Sequence, residues 1–176
     1  MKADLSRQGL VKSLFQKRST PSKLLLIGYG NPGRRDDGLG PAFAEAIDQL
    51  HLPNVTVDSD YQLTVEDAHQ ISGYDVVIFA DADAVCEEPF YFKEIGSRRD
   101  VRPDVCTSPG FSSHSVTPPE VLAMARELFS SKVKAYVLGI RGYEFEEFGE
   151  GLTGLAKKNF DLAFNYLKEQ MTSGKV

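Results

Sequence analysis

Apolar residues in this chain come in two rhythms. Unbroken runs at Lys23–Gly28 (KLLLIG), Tyr74–Ala80 (YDVVIFA) and Lys134–Ile140 (KAYVLGI) predict strands buried on both faces, as in parallel sheets. Between them the spacing turns helical. Ala42, Phe43, Ala46, Ile47 and Leu50 predict a helix within residues 37–50. Val121, Leu122, Ala125, Leu128 and Phe129 predict another, opened by TPPE (residues 117–120), where Thr117 and Glu120 form a capping box and proline takes the first helical position. Leu155, Phe160, Ala163, Phe164, Leu167 and Met171 mark the inner face of a last helix over 152–171. Asn54–Asp58 (NVTVD) predicts a further strand, and Thr64–Ile71 a short helix with a Thr64/Asp67 cap. Phe90–Ile95 has strand propensity interrupted by Lys93 and Glu94, which predicts an edge strand. Strands alternating with helices predict an α/β fold in three layers: a twisted, mostly parallel sheet of about five strands with helices on both faces.

The 176 residues allow one domain, expected over residues 23–176, with residues 1–22 as a basic N-terminal extension, either disordered or a loosely docked helix. The formal charge is −5, but it is unevenly spread. Residues 1–23 carry six basic side chains against Asp4 alone, so they are +5 and the remainder is −10. A body this acidic argues against a nucleic-acid groove. No apolar run approaches the ~20 residues needed to span a bilayer, and residues 1–22 contain no continuous apolar stretch of the kind a secretory signal needs. Cys86 and Cys106 form no C-x-x-C pair and read as two thiols of a reducing compartment, so a cytoplasmic location is expected.

Candidate chemistry gathers where a parallel sheet places it, beyond the carboxyl ends of the strands. After the first strand comes IGYGNPGRRDDGLG, residues 27–40. Gly28, Gly30 and Gly33 fit the G-x-G-x-x-G of a dinucleotide loop, and Asp58 stands at the end of the second strand, where a ribose-binding acid would be. Against this, Asp36 and Asp37 bring negative charge to where a phosphate would sit. Asp36 reads as a helix cap or an orienting group. Asp37, Asp81 at the tip of the third strand and His114 before the capped helix fall at the same rim. Two carboxylates and an imidazole suit a borderline divalent ion such as nickel or zinc and leave coordination positions open. Asn31 is either a turn residue or, with the backbone of the Gly28–Gly33 loop, a group that orients substrate. His69 reads as part of a solvated face, Asp83 as rim decoration or a supporting acid, and Glu144, Glu146, Glu147 and Glu150 as an acidic loop. Tyr61 and Gln62 are candidates to line a peptide groove.

GYGNPGRRDDGLGPAFAEAI resembles the opening of the hydrogenase maturation proteases, whose signature is a strand, G-x-G-N, and a D-[DE]-x-x-G group entering a helix; here these are Gly28, Gly30, Asn31, Asp36, Asp37 and Gly40. DVVIFADAD, FSSHSVTPPEVL and VLGIRGYEFEEFGEGLT resemble later segments of that family in the same order, and DYQLTVEDA (60–68) resembles one of its branches. The resemblance covers about residues 23–170. It implies an endopeptidase of aspartyl or metal-dependent type that removes the C-terminal extension of a nickel-loaded [NiFe]-hydrogenase large-subunit precursor. It implies that Asp37, Asp81 and His114 contact the metal and carry catalysis. The nickel is then brought by the substrate, with another divalent ion as the alternative, and Gly30 and Asn31 orient the substrate. Two alternatives stay open on the residues alone: a non-catalytic chaperone that binds metal or precursor on the same scaffold, and a dinucleotide-binding oxidoreductase.

Overall fold

The structure, a computed structural model, describes residues 22–96 and 116–173. The N-terminal extension, Cys106 and His114 lie outside the described residues. Five strands, β1 (Leu24–Tyr29), β2 (Val55–Asp60), β3 (Val76–Asp83), β4 (Phe90–Ile95) and β5 (Lys134–Arg141), form one sheet in the order β2-β1-β3-β5-β4. The first four positions of that order are parallel, and β4 closes one edge antiparallel to β5. Among the described residues there are also four α-helices: α1 (Leu39–Asp48), α2 (Glu66–Ile71), α3 (Pro118–Phe129) and α4 (Gly154–Ser173).

Alternation along the strands divides the core in two. Leu24 and Leu26 of β1, Val76, Ile78, Ala80 and Ala82 of β3, and Tyr136, Leu138 and Ile140 of β5 meet Phe43 and Ile47 of α1 and Phe160, Ala163 and Leu167 of α4. Leu25, Ile27 and Tyr29, Val77 and Phe79, and Ala135 and Val137 meet Ile71 of α2 and Val121, Leu122 and Ala125 of α3. Both sides of every central strand are therefore covered, which is why these strands read as unbroken apolar runs.

Element edges depart from the periodicity in ways that matter for the rim. β3 does not stop at Ala80. Its ladder with β5 continues to Asp83↔Arg141, so the DAD triplet lies inside a strand. The helix expected within 37–50 divides into a single 3₁₀ turn, Arg35–Gly38, followed by α1. The α4 stripe starts one residue later than expected, with Ala156 buried and Leu155 56% exposed. At the end of α3, Leu128 is exposed and Phe129 meets the ring of His69 edge-on at 5.1 Å.

The capping box before α3 is formed: Glu120 accepts from the Thr117 backbone N–H at 2.9 Å, and the Thr117 side chain accepts in return. The far end of α3 shares a cleft with Lys23 and Asp75, which sit at the amino edge of the sheet. Its capped N-terminus, two residues after the described chain resumes at Val116, thus points to the carboxyl edge, where the loops after β1, β2, β3 and β5 also emerge.

Candidate active site

The loop between β1 and α1 is shaped by close backbone approach. Gly30 has φ +137°, a conformation that side-chain-bearing residues rarely adopt, and a Cβ there would lie 2.0 Å from the Asp37 carbonyl oxygen. A Cβ on Gly40 would lie 2.2 Å from the Tyr29 carbonyl and 2.6 Å from that of Ala80. The first turn of α1 therefore sits directly on the carboxyl ends of β1 and β3. This contact carries Asp37, just ahead of α1, to the neighbourhood of Asp81 on β3.

Asp37 is half-buried, and its Oδ2 accepts a hydrogen bond from the Asn31 backbone N–H at 3.1 Å. Burial pushes its pKa up, while that bond and the Arg34 guanidinium pull it back. Asp81 pairs with Gly139 in the ladder, beyond the last β1–β3 pair. Its pKa is pushed up to about 7, first by burial. The neighbouring Tyr29 hydroxyl and a hydrogen bond from the Ala82 backbone N–H (2.7 Å) oppose the rise, and the negative charge of Asp37 adds to it. Mutual repulsion thus falls on the deeper of the two acids. A pair of partly desolvated carboxylates with one pKa near neutrality suits either proton transfer or a divalent cation, which would remove both penalties at once. Among the described residues no group of three His, Cys, Asp or Glu side chains is placed to hold a metal. A third protein donor would have to come from outside them, and His114 is the residue the sequence offers.

Asp36 does not cap its own helix. It is fully buried, and its carboxylate accepts from the backbone N–H groups of Tyr143 (2.9 Å), Glu144 (3.1 Å) and Thr153 (2.7 Å) and from the Thr153 hydroxyl (2.8 Å). Thr153 in turn accepts from the Ala156 N–H at the start of α4. Further bonds join Arg35 N–H to the Gly149 carbonyl and Gly149 N–H to the Gly33 carbonyl, both at 2.9 Å. The loop after β5, with its exposed glutamates and with Phe148 88% exposed, is thereby fastened to the loop that bears Asp37. Sequence reasoning missed this role. The only signal was two adjacent aspartates of which a single helix start needs one.

Asn31 is a turn residue: its side-chain oxygen accepts from Gly33 N–H at 2.9 Å. The backbone N–H of Gly30 donates to the Asp60 carbonyl and that of Asn31 to Asp37. These three donors are spent within the chain, so neither a pyrophosphate nor an oxyanion can draw on them in this geometry. Asp58, the would-be ribose acid, accepts from Gln70 Nε2 at 2.5 Å and from Ser59 N–H. The dinucleotide expectation fails on both counts. Asp83 is buried, and its Oδ1 accepts from Val85 and Cys86 N–H, which shapes the turn after β3. His69 is exposed, as expected, and Tyr61 is exposed at the rim just past β2.

Solved structures share this arrangement of elements. The [NiFe] hydrogenase maturation protease HycI from Thermococcus kodakarensis superposes with a TM-score of 0.68 at 19% identity, over 93% of this chain and 99% of that one. The chain has the fold of the hydrogenase maturation proteases. An endopeptidase from Escherichia coli shares that fold at a TM-score of 0.66 and 20% identity, over 88% and 94% of the two chains. The E. coli hydrogenase maturating endopeptidase HybD does so at 0.62 and 18%, over 87% and 94%. No protein-family model matches the sequence. No curated protein matches it. Among the described residues no helix of this maturation-protease fold is long and apolar enough to cross a membrane.

Proposed function

We propose that this protein is an endopeptidase that removes the C-terminal extension of a [NiFe]-hydrogenase large-subunit precursor already holding nickel. The observation that carries this is the placement of Asp37 and Asp81 together at the carboxyl rim of a maturation-protease fold, with Asp81 held near pKa 7. Asp37, Asp81 and His114 are the residues proposed to contact the nickel, which arrives as part of the substrate. The fit rests on chemistry of the pair: two partly desolvated carboxylates repel each other until a cation sits between them. When present, the ion supplies a positive charge that polarises the scissile carbonyl.

The chain's own residues do the rest. Asp81 takes the proton of the attacking water, then returns one to the leaving amine. Asp37 stays ionised longer because Asn31 and Arg34 favour its charged form, and it provides the fixed negative charge that faces the ion. With the loop's backbone donors spent, the side-chain amide of Asn31 is the group left at that turn to orient the substrate backbone. A subunit without nickel meets two unscreened carboxylates, which discourages cleavage before the metal is loaded. A cytoplasmic location goes with this role.

The test is to mix the protein with nickel-loaded precursor and follow the mass of the large subunit. Loss of the C-terminal peptide is expected. Asp37→Ala, Asp81→Ala and His114→Ala should each slow it by about 100-fold or more. Undiminished cleavage in any of the three removes that residue from the site. Co-elution of precursor at unchanged mass would instead favour the non-catalytic chaperone.

A further inference from the structure

Large apolar side chains left in water are not scattered over this molecule. Among the described residues eight are exposed, and five of these stand at the carboxyl rim, each more than half exposed: Tyr61 and Val65 after β2, Val85 after β3, Phe148 after β5 and Leu155 in the first turn of α4. The stretches that carry them, residues 61–66, 84–89 and 142–155, hold seven glutamates, all exposed, and no lysine or arginine. Among the described residues the one ion pair these glutamates make is a long one, Glu146 to Arg34 at 4.0 Å. Phe148 shows that the exposure is built in. Three residues earlier Phe145 packs inward against the core, and a Cβ at Gly142 would meet its ring at 2.7 Å. Phe148 is kept from doing the same by its neighbour: Gly149 donates to the Gly33 carbonyl and accepts from the Arg35 N–H, both at 2.9 Å. The bonds that fasten this loop to the segment bearing Asp37 thus hold the ring outward, 88% exposed, beside the site.

We propose that this rim is a docking face for the body of the large-subunit precursor, with Phe148 as its apolar anchor, and that it takes a patch of that subunit in which apolar side chains stand among lysines and arginines. The identity of the partner rests on the endopeptidase function proposed above. Breadth argues for the subunit's body. The three loops follow β2, β3 and β5, the outermost of which lie three strand spacings apart, about 14 Å at ~4.8 Å per spacing. An extended tail reaching Asp37 and Asp81 is about one spacing wide, so most of the face is left for the fold from which the tail emerges. Charge argues for a basic patch. The glutamates stand in water without cations of their own loops, so a basic surface gains from all of them, whereas an acidic one is repelled. Apolar side chains fixed in an open position lose little freedom on binding, and a rigid aromatic ring is the commonest kind of anchor in such faces.

Two measurements on the full chain with nickel-loaded precursor test this. In cleavage kinetics, Phe148→Ser should raise KM about tenfold or more with kcat within about twofold, as expected for lost docking. Glu87→Lys combined with Glu147→Lys should raise KM by a similar factor at low salt and by much less at 0.5 M salt. Leu128→Ser, equally exposed but at the far end of α3, should change neither constant. An unchanged KM in Phe148→Ser, or a charge-reversal effect that ignores salt, overturns the docking face while cleavage by the unmodified protein upholds the function. If precursor is bound but not cut, the same shifts are read in Kd. Photo-cross-linking from p-benzoylphenylalanine in place of Phe148 should join the large subunit outside its C-terminal tail. Joining to the tail alone, to residues 1–21 of this chain or to a second copy overturns the proposal. An unmodified protein that neither binds nor cleaves the precursor overturns the proposed function and the named partner together.

Discussion

Two adjacent aspartates with opposite tasks define the residue scale. Asp36 turns inward and is saturated by four donors, whereas Asp37 turns to the rim and keeps capacity for a cation. The type of residue gives no hint of which is which. Only the partners, 107 to 117 positions away, decide it. Asp81 illustrates the opposite case, in which strand position alone puts an acid at the rim. Its raised pKa has a consequence for stability. The folded protein holds a proton on Asp81 up to about pH 7, whereas the unfolded chain releases it near the usual value of 3.8. Between those values the folded state binds more protons, so stability falls as pH rises from about 4 to about 7. In metal-stripped protein, Asp81→Asn should flatten that slope and be the more stable form above pH 7. Urea midpoints measured from pH 5 to 8 will show this as converging, then crossing, curves; parallel curves would place Asp81 in an ordinary environment. Gly40 offers a steric test. Gly40→Ala puts a methyl group against two fixed carbonyls and should cost about 1–3 kcal/mol, read as a lower denaturation midpoint.

At the scale of elements, the loops are less independent than their sequences imply. The loop after β5 reads as a solvated acidic connection, yet it is fastened at its start, middle and end to the loop after β1. Asp36→Ala leaves three backbone N–H groups without their acceptor. At about 1–3 kcal/mol for each buried group left unsatisfied, the loss should reach at least ~3 kcal/mol. Limited proteolysis near Glu146–Phe148 should accelerate in this variant before global unfolding does. Equal cleavage rates in the two proteins would show that the loop holds itself without Asp36. The Thr117–Glu120 box marks the first turn of α3 to within a residue, whereas α2 begins at Glu66, two residues past the expected Thr64, with Val65 at its N-cap. The ends of β3 were less legible. An apolar run signals coverage by helices, and the rim residues Asp81 and Asp83 remain paired in the sheet after coverage gives way to polar surroundings.

For the whole molecule, both apolar layers and every strand among the described residues lie between Leu24 and Met171. Removal of residues 1–21 should therefore leave the thermal midpoint within a few degrees of the full chain, a shift corresponding to less than ~1 kcal/mol in a domain of this size. A drop of 10 °C or more in a calorimetric scan would show that the basic extension contributes to the core. The same enclosure explains why the fold is shared with maturation proteases at about one-fifth identity. Many apolar residues can fill two layers of this thickness, whereas the close approach of α1 to β1 and β3 admits only glycine at a few points.

What the sequence determined by itself is local in origin. Period-two and period-3.6 patterns, the capping box and the glycine spacing each act over a few residues, and they gave the five strands, the four helices and the rim on which Asp37 and Asp81 would meet. What the tertiary structure alone decided depends on groups far apart in the chain. The burial of Asp36 under the loop after β5 and the commitment of the Gly30, Asn31 and Gly33 donors both arise from which strands lie side by side. Strand order is set by the packing of the complete chain, and no short window of residues encodes it.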